Sequence, residues 1–426
     1  MFKAPRGTHD ILPKEQRYWH HVESVATSLS RKYGYHRLDT PALEDAGLFL
    51  RTVGEGTDIV EKETYTFTDR GGEIITLRAE GTAPICRAYL EHGMHNLPQP
   101  VRLYYFCPVF RYERPQAGRY RLHHQFGIEA IGDADPSVDV EVIELAWNLL
   151  KSFGLKDLSL LVNSIGDSEC RPNYLQELQA YYHNHLSQLC DDCRSRYSHN
   201  PLRLLDCKRT TCRPYIEDAP RSYDYLCTPC LDHWNSLTEH LKALGIPYRP
   251  SHTLVRGLDY YTRTVFEIQP ADQGAQSTIL GGGRYDGLIQ ELGGKPTPGI
   301  GFGTGIERIV LNLKQQDFAF PDTQEVATFL ASVGDPARHE AILLASRLRS
   351  QGITVILAPA GKSLKSQMRH ASALGSSHAI ILGQDEIDKH MVTIRNMHIG
   401  TQDQVSLSDL SGFLQKTANS GDTVTP

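Results

Sequence analysis

One stretch constrains this chain more than any other: Phe110 to Gly132, FRYERPQAGRYRLHHQFGIEAIG. The run VRLYYFCPVF leads into it and FGIEAIG closes it. Both runs are rich in aromatic and β-branched residues, which predicts two strands joined by a long loop. That loop carries Arg114, Pro115, Gly118, Arg119 and Arg121, with Glu113 as its acid. A hairpin tip needs only two to five residues. This connection has about ten, a length that usually carries function. Alternation along the first strand puts Arg111 and Glu113 on one face, and along the second Gln125, Gly127 and Glu129. Arginine, glutamate and glutamine around a glycine make the floor of a polar ligand site, not a core face.

The 426 residues are enough for more than one domain and a sizeable core. Met1 is followed by FKAPRG, without the apolar segment of an export signal, and no run approaches the length of a membrane span. A cytoplasmic, membrane-free location is therefore expected. The net charge of −6 excludes a generally basic nucleic-acid coat but leaves room for local basic patches. Nine cysteines without a signal peptide point to a reducing compartment. Cys86 and Cys107 stand in apolar contexts as small core residues, and the other seven fall between Cys170 and Cys230.

In chain order, Pro13 can open a helix that carries Tyr18, Val22, Val25, Leu29 and Tyr33 on one face and closes at Gly34. A strand from Tyr35 to Pro41 is predicted next. Thr64 to Phe67 and Ile74 to Leu77 bracket the turn Asp69-Arg70-Gly71-Gly72, a second hairpin. Glu80 and Thr82 then stand at a strand-to-helix junction, where they could cap the helix. Asp135-Pro136 starts a helix with Asp139, Glu141 and Glu144 early and Lys151 late, the polarity that a helix dipole favours. Leu158 to Val162 reads as a strand.

From about 166 to 250 the chain turns helical, polar and cysteine-rich. Cys190/Cys193, Cys207/Cys212 and Cys227/Cys230 form three pairs, and two CxxC knuckles ordinarily offer zinc ligands. The bland alternative is free thiols in a helical insertion. The sheet is predicted to resume over Leu254 to Thr262, followed by Thr264 to Ile268. Gly281-Gly282-Gly283 lacks the Lys-Ser/Thr of a phosphate loop. Gly299 to Gly305 is a glycine-dense strand that runs into a helix, with Arg308 in its first turns. Short apolar runs at Val326–Ser332, Ile353–Leu357 and Ala379–Leu382, separated by helices, predict a small α/β domain with a parallel sheet. Arg338, Arg347, Arg349, Lys362, Lys365 and Arg369 face one acid, Glu340, in its helical part, a bias that suits either a solvated face or RNA phosphates. The end from 417 is polar and is expected to be disordered.

Phe-Arg-x-Glu followed by Arg-Tyr-Arg resembles motif 2 of the class II aminoacyl-tRNA synthetases. The first helix, strand and Pro41 are similar to their dimer-forming motif 1, and Gly299 to Arg308 to motif 3. His124-Gln-Phe-Gly-Ile-Glu129, Arg256-Gly-Leu-Asp-Tyr-Tyr261 and Gly281-Gly-Gly-Arg-Tyr-Asp-Gly287 resemble signatures of the histidyl branch. The resemblance runs from residue 6 to about 415. It implies an α+β fold: a class II core over 1–325, built on an antiparallel sheet with flanking helices and a helical insertion, then an α/β anticodon-binding domain over 326–426. It also implies a homodimer that acts on L-histidine, ATP with Mg2+ and tRNA(His).

By the same resemblance, Arg111 holds the α-phosphate, Arg256 the substrate carboxylate and α-phosphate, and Arg308 the γ-phosphate. Glu113 and Arg119 complete the ATP site. Glu80, Gly81, Thr82, Gln125 and Tyr260 line the amino-acid pocket, and Glu129 and Tyr261 read the imidazole. The family needs no structural metal, so zinc on Cys190, Cys193, Cys227 and Cys230 is not expected. Two other readings fit less of the chain. One is a non-catalytic paralogue that regulates ATP phosphoribosyltransferase, the other an adenylate-forming ligase without RNA.

Overall fold

The computed structural model describes residues 2–53, 63–113, 119–271, 278–316, 318, 320 and 328–419. Arg114, Pro115, Gly118, the first two residues of the Val326 run and the end of the chain lie outside them. The chain divides into two units, Met1–Ala319 and Phe320–Pro426. Strands of the first are β1 (His36–Arg37), β2 (Leu43–Asp45), β3 (Tyr65–Thr68), β4 (Ile74–Leu77), β5 (Val101–Phe110), β6 (Leu122–Ile131), β7 (Leu158–Ser164), β8 (Tyr248–Pro250), β9 (Thr262–Pro270), β10 (Leu280–Arg284) and β11 (Gly299–Gly305). Eight of them form one sheet in the order β1-β5-β6-β11-β10-β9-β7-β8, and β2-β4-β3 form a small second sheet. The six central strands are antiparallel, and only the short edge strands β1 and β8 pair in parallel.

Alternation divides the large sheet into two unlike faces. Phe126, Ile128 and Ala130 of β6, Ile300 and Phe302 of β11, and Phe266 and Ile268 of β9 are fully buried in one core. Helices Pro13–Lys32, Pro136–Ser152, Thr228–Ala243 and Ile306–Gln315 supply its other half through Val22, Ile143, Leu149, Leu237 and Leu313. Burying one such side chain stabilises the fold by roughly 1.5–3 kcal/mol. The residues between them, Gln125, Gly127 and Glu129 on β6 and Gly301, Gly303 and Gly305 on β11, therefore turn to the opposite face. The hydrophobic pattern thus aims the polar set of the first strand pair away from that core and toward a second face, where Leu103, Tyr105, Ile131 and Val265 belong to another buried cluster.

That pair spans Val101↔Ile131 to Phe110↔Leu122 without a break. The first strand ends at Phe110, earlier than predicted, so Arg111 and Glu113 stand beyond the ladder. One bond, Arg111 N to Arg121 O at 2.9 Å, continues the pairing. The predicted helices start and stop where the punctuation puts them. Asp135 Oδ1 accepts from Ser137 N at 2.9 Å, and Gly34 and Gly154 take positive φ past their helix ends.

Two strand expectations fail. Tyr35 to Pro41 yields only the two-residue β1. Leu254 to Tyr261 is not a strand at all but a turn-rich path, with the strand starting at Thr262. Leu254, Val255, Tyr260 and Tyr261 are buried along that path. Arg171 donates to the carbonyls of Ile165, Gly166 and Tyr261, which supplies part of the bonding a ladder would otherwise give. An apolar run reports burial, and burial here comes without pairing.

The second unit contains strands β12 (Thr328–Ser332), β13 (Val355–Leu357), β14 (His378–Leu382), β15 (Met391–Asn396) and β16 (Gln402–Ser406), in the order β13-β12-β14-β15-β16. The first three are parallel as predicted. The last two form an antiparallel hairpin that the parallel reading did not include. Helix Leu410–Asn419 replaces the start of the expected disordered tail. Arg338, Arg347 and Arg349 donate to the carbonyls of Ala358, Leu407 and Val355, so half of the basic set is tied to the fold. Lys362, Lys365 and Arg369 are exposed.

Candidate active site

A cavity of about 560 Å³ opens on the polar face of the large sheet. It is lined by Arg111, Glu113 and Arg119 from the long connection, Gln125 from β6, Glu80 and Thr82 from the entry to helix Thr82–Glu91, Arg256, Tyr260 and Tyr261 from the turn-rich path, and Arg308. Apart from Gly81 and Glu129, every residue predicted to meet histidine or ATP lines this one cavity, although they come from points about 230 residues apart, and the candidate cysteines Cys190, Cys193, Cys227 and Cys230 do not.

Its floor is built from glycine. An added Cβ at Gly301 would overlap the Glu129 carboxylate, one at Gly303 the Gln125 amide, and one at Gly281 the Arg256 guanidinium. The glycines of β10 and β11 are thus space for side chains that lie across neighbouring strands. Gly81 acts the same way. It does not line the cavity, but with Gly127 it leaves the room that the Tyr105 ring occupies.

Glu129 lies behind the cavity wall and is fully buried. Its Oε1 accepts from Thr82 Oγ1 at 2.8 Å and Tyr105 OH at 3.1 Å, and its Oε2 from Tyr285 OH at 2.6 Å. Gln125 Nε2 donates to Tyr105 OH at 3.1 Å, which links the cavity surface to the buried carboxyl. Burial pushes Glu129 up to about 8, against the pull of the hydroxyl hydrogen bonds. Glu80 combines two expectations. Its oxygens accept from Thr82 N at 2.6 Å and Ala83 N at 2.7 Å, so it caps the helix while facing the cavity.

The arginines are held from behind. Arg111 Nε donates to Ala79 O at 2.7 Å, and Glu113 stands between Arg111 and Arg119 at 3.9 and 3.7 Å. Arg256 pairs with Glu267, whose second oxygen accepts from Thr278 Oγ1 at 2.8 Å. Burial acts against the Arg256 charge, but Glu267 holds it well above the usual range. Arg308 donates to Thr278 O, and burial followed by the charge of Arg119 depresses its guanidinium. His123 lines the cavity with its pKa lowered to about 3 by burial, then by Arg111, so it is a neutral imidazole among cations. Two buried polar atoms of cavity residues, Arg256 Nε and Tyr260 OH, have no hydrogen-bond partner among the described residues. Such atoms ordinarily find one.

Several residues here escaped the sequence reading. Tyr105 was findable, since stepping back by twos from Arg111 reaches it. Glu267 was also findable, as a lone acid inside the apolar strand β9. Arg196, Asn200, Arg203, Asp206 and Lys208 of the insertion also line the cavity, brought there by tertiary folding alone. The cysteines differ from expectation as well. Cys190 and Cys193 gather with Cys207 and Cys212, whereas Cys227 and Cys230 gather with Asp167 and Cys170. The two CxxC pairs therefore do not share one site, because the turn after Leu205 folds back on the first pair.

A cavity that crowds Arg111, Arg119, Arg256 and Arg308 around carboxylate and amide groups suits polyphosphate and carboxylate chemistry by positioning. Residues 7–309 match the profile of the family described as histidyl-tRNA synthetase, and residues 327–417 match that of an anticodon binding domain. A histidine–tRNA ligase of Dehalococcoides mccartyi is 57% identical over 416 residues, covering 98% of this chain and all of that protein. The apo crystal structure of Staphylococcus aureus histidyl-tRNA synthetase superposes with a TM-score of 0.81 at 37% identity, covering 97% of this chain and 99% of the other. A Bacillus halodurans structure described as an ATP phosphoribosyltransferase regulatory subunit/histidyl-tRNA synthetase is less similar, with a TM-score of 0.65 and 25% identity over 90% of this chain and 98% of the other. No helix among the described residues is long and apolar enough to cross a membrane. On its sequence, its fold and the residues gathered in this cavity, the chain belongs to the histidyl-tRNA synthetase family.

Proposed function

We propose that the cavity activates L-histidine with ATP and passes the histidyl group to the 3′ end of tRNA(His). The observation that carries this reading is the gathering of Arg111, Arg119, Arg256 and Arg308 in one cavity with Glu80, Thr82 and Gln125. A histidine carboxylate oxygen attacks the α-phosphorus of ATP, the bond to the bridging oxygen breaks, and pyrophosphate leaves. A ribose hydroxyl of the tRNA then attacks the acyl carbonyl, and AMP leaves. Neither step needs a covalent bond to the protein, so fixed positive charge and orientation supply the catalysis. Magnesium enters with ATP as part of the substrate.

Arg256, kept charged by Glu267, meets the carboxylate and α-phosphate. Arg111 meets the α-phosphate, and Arg308 and Arg119 the outer phosphates, where polyphosphate relieves their mutual repulsion. Glu113 takes the adenine amino group. Glu80, Thr82 and Gln125 receive the ammonium. Neutral imidazole carries one donor and one acceptor, which Glu129 and Tyr261 read. Residues 1–325 carry the chemistry, and 326–426 hold the tRNA, with exposed Lys362, Lys365 and Arg369 toward its phosphates. The working form is a cytoplasmic homodimer, a reading supported by the exposed Leu43, Phe67 and Ile74 on the small sheet. The full set of cavity arginines and the anticodon-binding profile favour this activity over a regulatory paralogue.

Amino-acid-dependent ATP–pyrophosphate exchange, run with each of the twenty amino acids, tests the reading. Exchange with histidine alone is expected, and exchange with another amino acid, or with none, overturns it. A chain cut after Ala319 should keep exchange and lose most tRNA charging.

A further inference from the structure

The insertion gathers eight metal-ligating side chains into two groups of four. One is Cys190, Cys193, Cys207 and Cys212, the other Asp167, Cys170, Cys227 and Cys230. Within each group the ligand atoms all lie within 4.8 Å of one another. We propose that each group binds one zinc ion, making the insertion a lobe held by two structural metals.

Distances carry the proposal first. Four thiolates about 2.3 Å from a tetrahedral zinc lie about 3.8 Å from each other. Cys190 Sγ and Cys207 Sγ are 3.8 Å apart. A disulfide needs about 2.05 Å, and all nine cysteines are free thiols. The surroundings are those of ligands rather than of spare core thiols. Cys190 N donates to Cys212 Sγ at 3.3 Å, an outer bond that suits a thiolate. Lys208 and Arg209 follow Cys207 directly, where they pair with Asp206 and Asp192. In the second group, Asp167 Oδ1 lies 3.5 Å from Cys170 Sγ and 3.9 Å from Cys227 Sγ, while Oδ2 pairs with Arg263 at 3.3 Å. Soft thiolates in a tetrahedral cage select zinc over harder divalent ions. On binding, each coordinating cysteine gives its proton to solvent.

Topology shows what the metals accomplish. The lobe's buried side chains, Tyr174, Leu178, Tyr182, Leu204 and Ile216, join a core shared with Tyr105, Tyr261 and Val265 of the catalytic unit. The Asp167 group joins the beginning of the insertion to Cys230 near its end. The four-cysteine group closes the loop that supplies Arg196, Arg203 and Asp206 to the active-site cavity. Its zinc would fix that rim of the site.

The test is metal content of the full-length chain, purified without chelator from zinc-supplemented cells, by elemental analysis and native mass spectrometry. Close to two zinc ions per chain are expected, falling to one in Cys207→Ser and to one in Cys227→Ser. Cobalt added to the stripped protein should give thiolate charge-transfer and tetrahedral d–d bands, a signature that survives if a serine variant is too unstable to purify. A single zinc removed by Cys207→Ser overturns the Asp167 site, and one removed by Cys227→Ser overturns the four-cysteine site. Wild-type protein without zinc and without a cobalt signature, or with iron and labile sulfide instead, overturns both.

Discussion

Two carboxyl groups are fully buried against the same sheet, and their surroundings could hardly differ more. Asp139 is bonded to Arg284, itself without exposed surface, and accepts from His233 Nε2 at 2.8 Å. Burial alone would push Asp139 up, but the Arg284 charge and the His233 hydrogen bond hold it below the usual range. Glu129 has only hydroxyls, and burial takes it up to about 8. One cluster is electrically complete and pins helix Pro136–Ser152 to β10. The other is held by hydroxyl donors alone, behind the cavity wall. The same burial leaves one carboxyl ionised and pushes the other toward its protonated form, and the difference is a cation.

Breaking the complete cluster should cost most. Arg284→Met leaves Asp139 buried without its cation, and a loss of about 3–5 kcal/mol is expected from urea unfolding. Adding Asp139→Leu should recover much of it. If Arg284→Met unfolds like the parent, the pair is no staple. Next comes Arg256, where catalysis and not folding should suffer. Arg256→Ala should lower the exchange rate by on the order of a hundredfold or more, because a preorganised donor meets charge that develops on phosphate. Near-normal exchange would remove it from the mechanism.

Glu129 sharpens the comparison through pH. Its folded pKa is raised from 4.5 to about 8, so the folded chain holds its proton more tightly than the unfolded chain does. The stability this contributes is complete below pH 4.5 and is lost as pH rises toward 8, by at most about 1.4 kcal/mol per pH unit. Glu129→Gln does not titrate and should gain on the parent across that window. Parallel stability profiles would show that burial does not perturb this carboxyl. The same variant should raise the histidine KM and leave the ATP KM near normal, whereas Tyr261→Phe should act in the same direction more weakly. Combined, the two should be non-additive if both grip one ring.

How much of this was legible beforehand follows from what period-2 and turn chemistry can encode. The strand pair β5–β6 and its polar face were readable, because alternation between Phe126 and Glu129 is local. The glycine-dense β10 and β11 were readable as strands but not as floors. That Gly301 makes room for Glu129 depends on which strands become neighbours. Leu254 to Tyr261 was misread because burial and pairing leave the same apolar imprint. The hairpin β15–β16 was missed because it continues a sheet whose first three strands set a parallel expectation.

By itself the sequence determined the family, the order of most of its elements and a third of the side chains that meet in the cavity, Arg111, Arg119, Arg256 and Arg308 among them, since each of these is written in local motifs. Tertiary structure alone decided how those side chains are poised. It gave Glu129 three hydroxyls and Asp139 a guanidinium, brought Arg196 and Arg203 to the cavity rim, and sorted seven cysteines and one aspartate into two fours, leaving Cys86 and Cys107 in neither. Spacing along a chain states which ligands exist; only folding sets which of them lie within 4.8 Å of one another. Electrostatics and coordination act through space and fall off steeply with distance, so they are settled last.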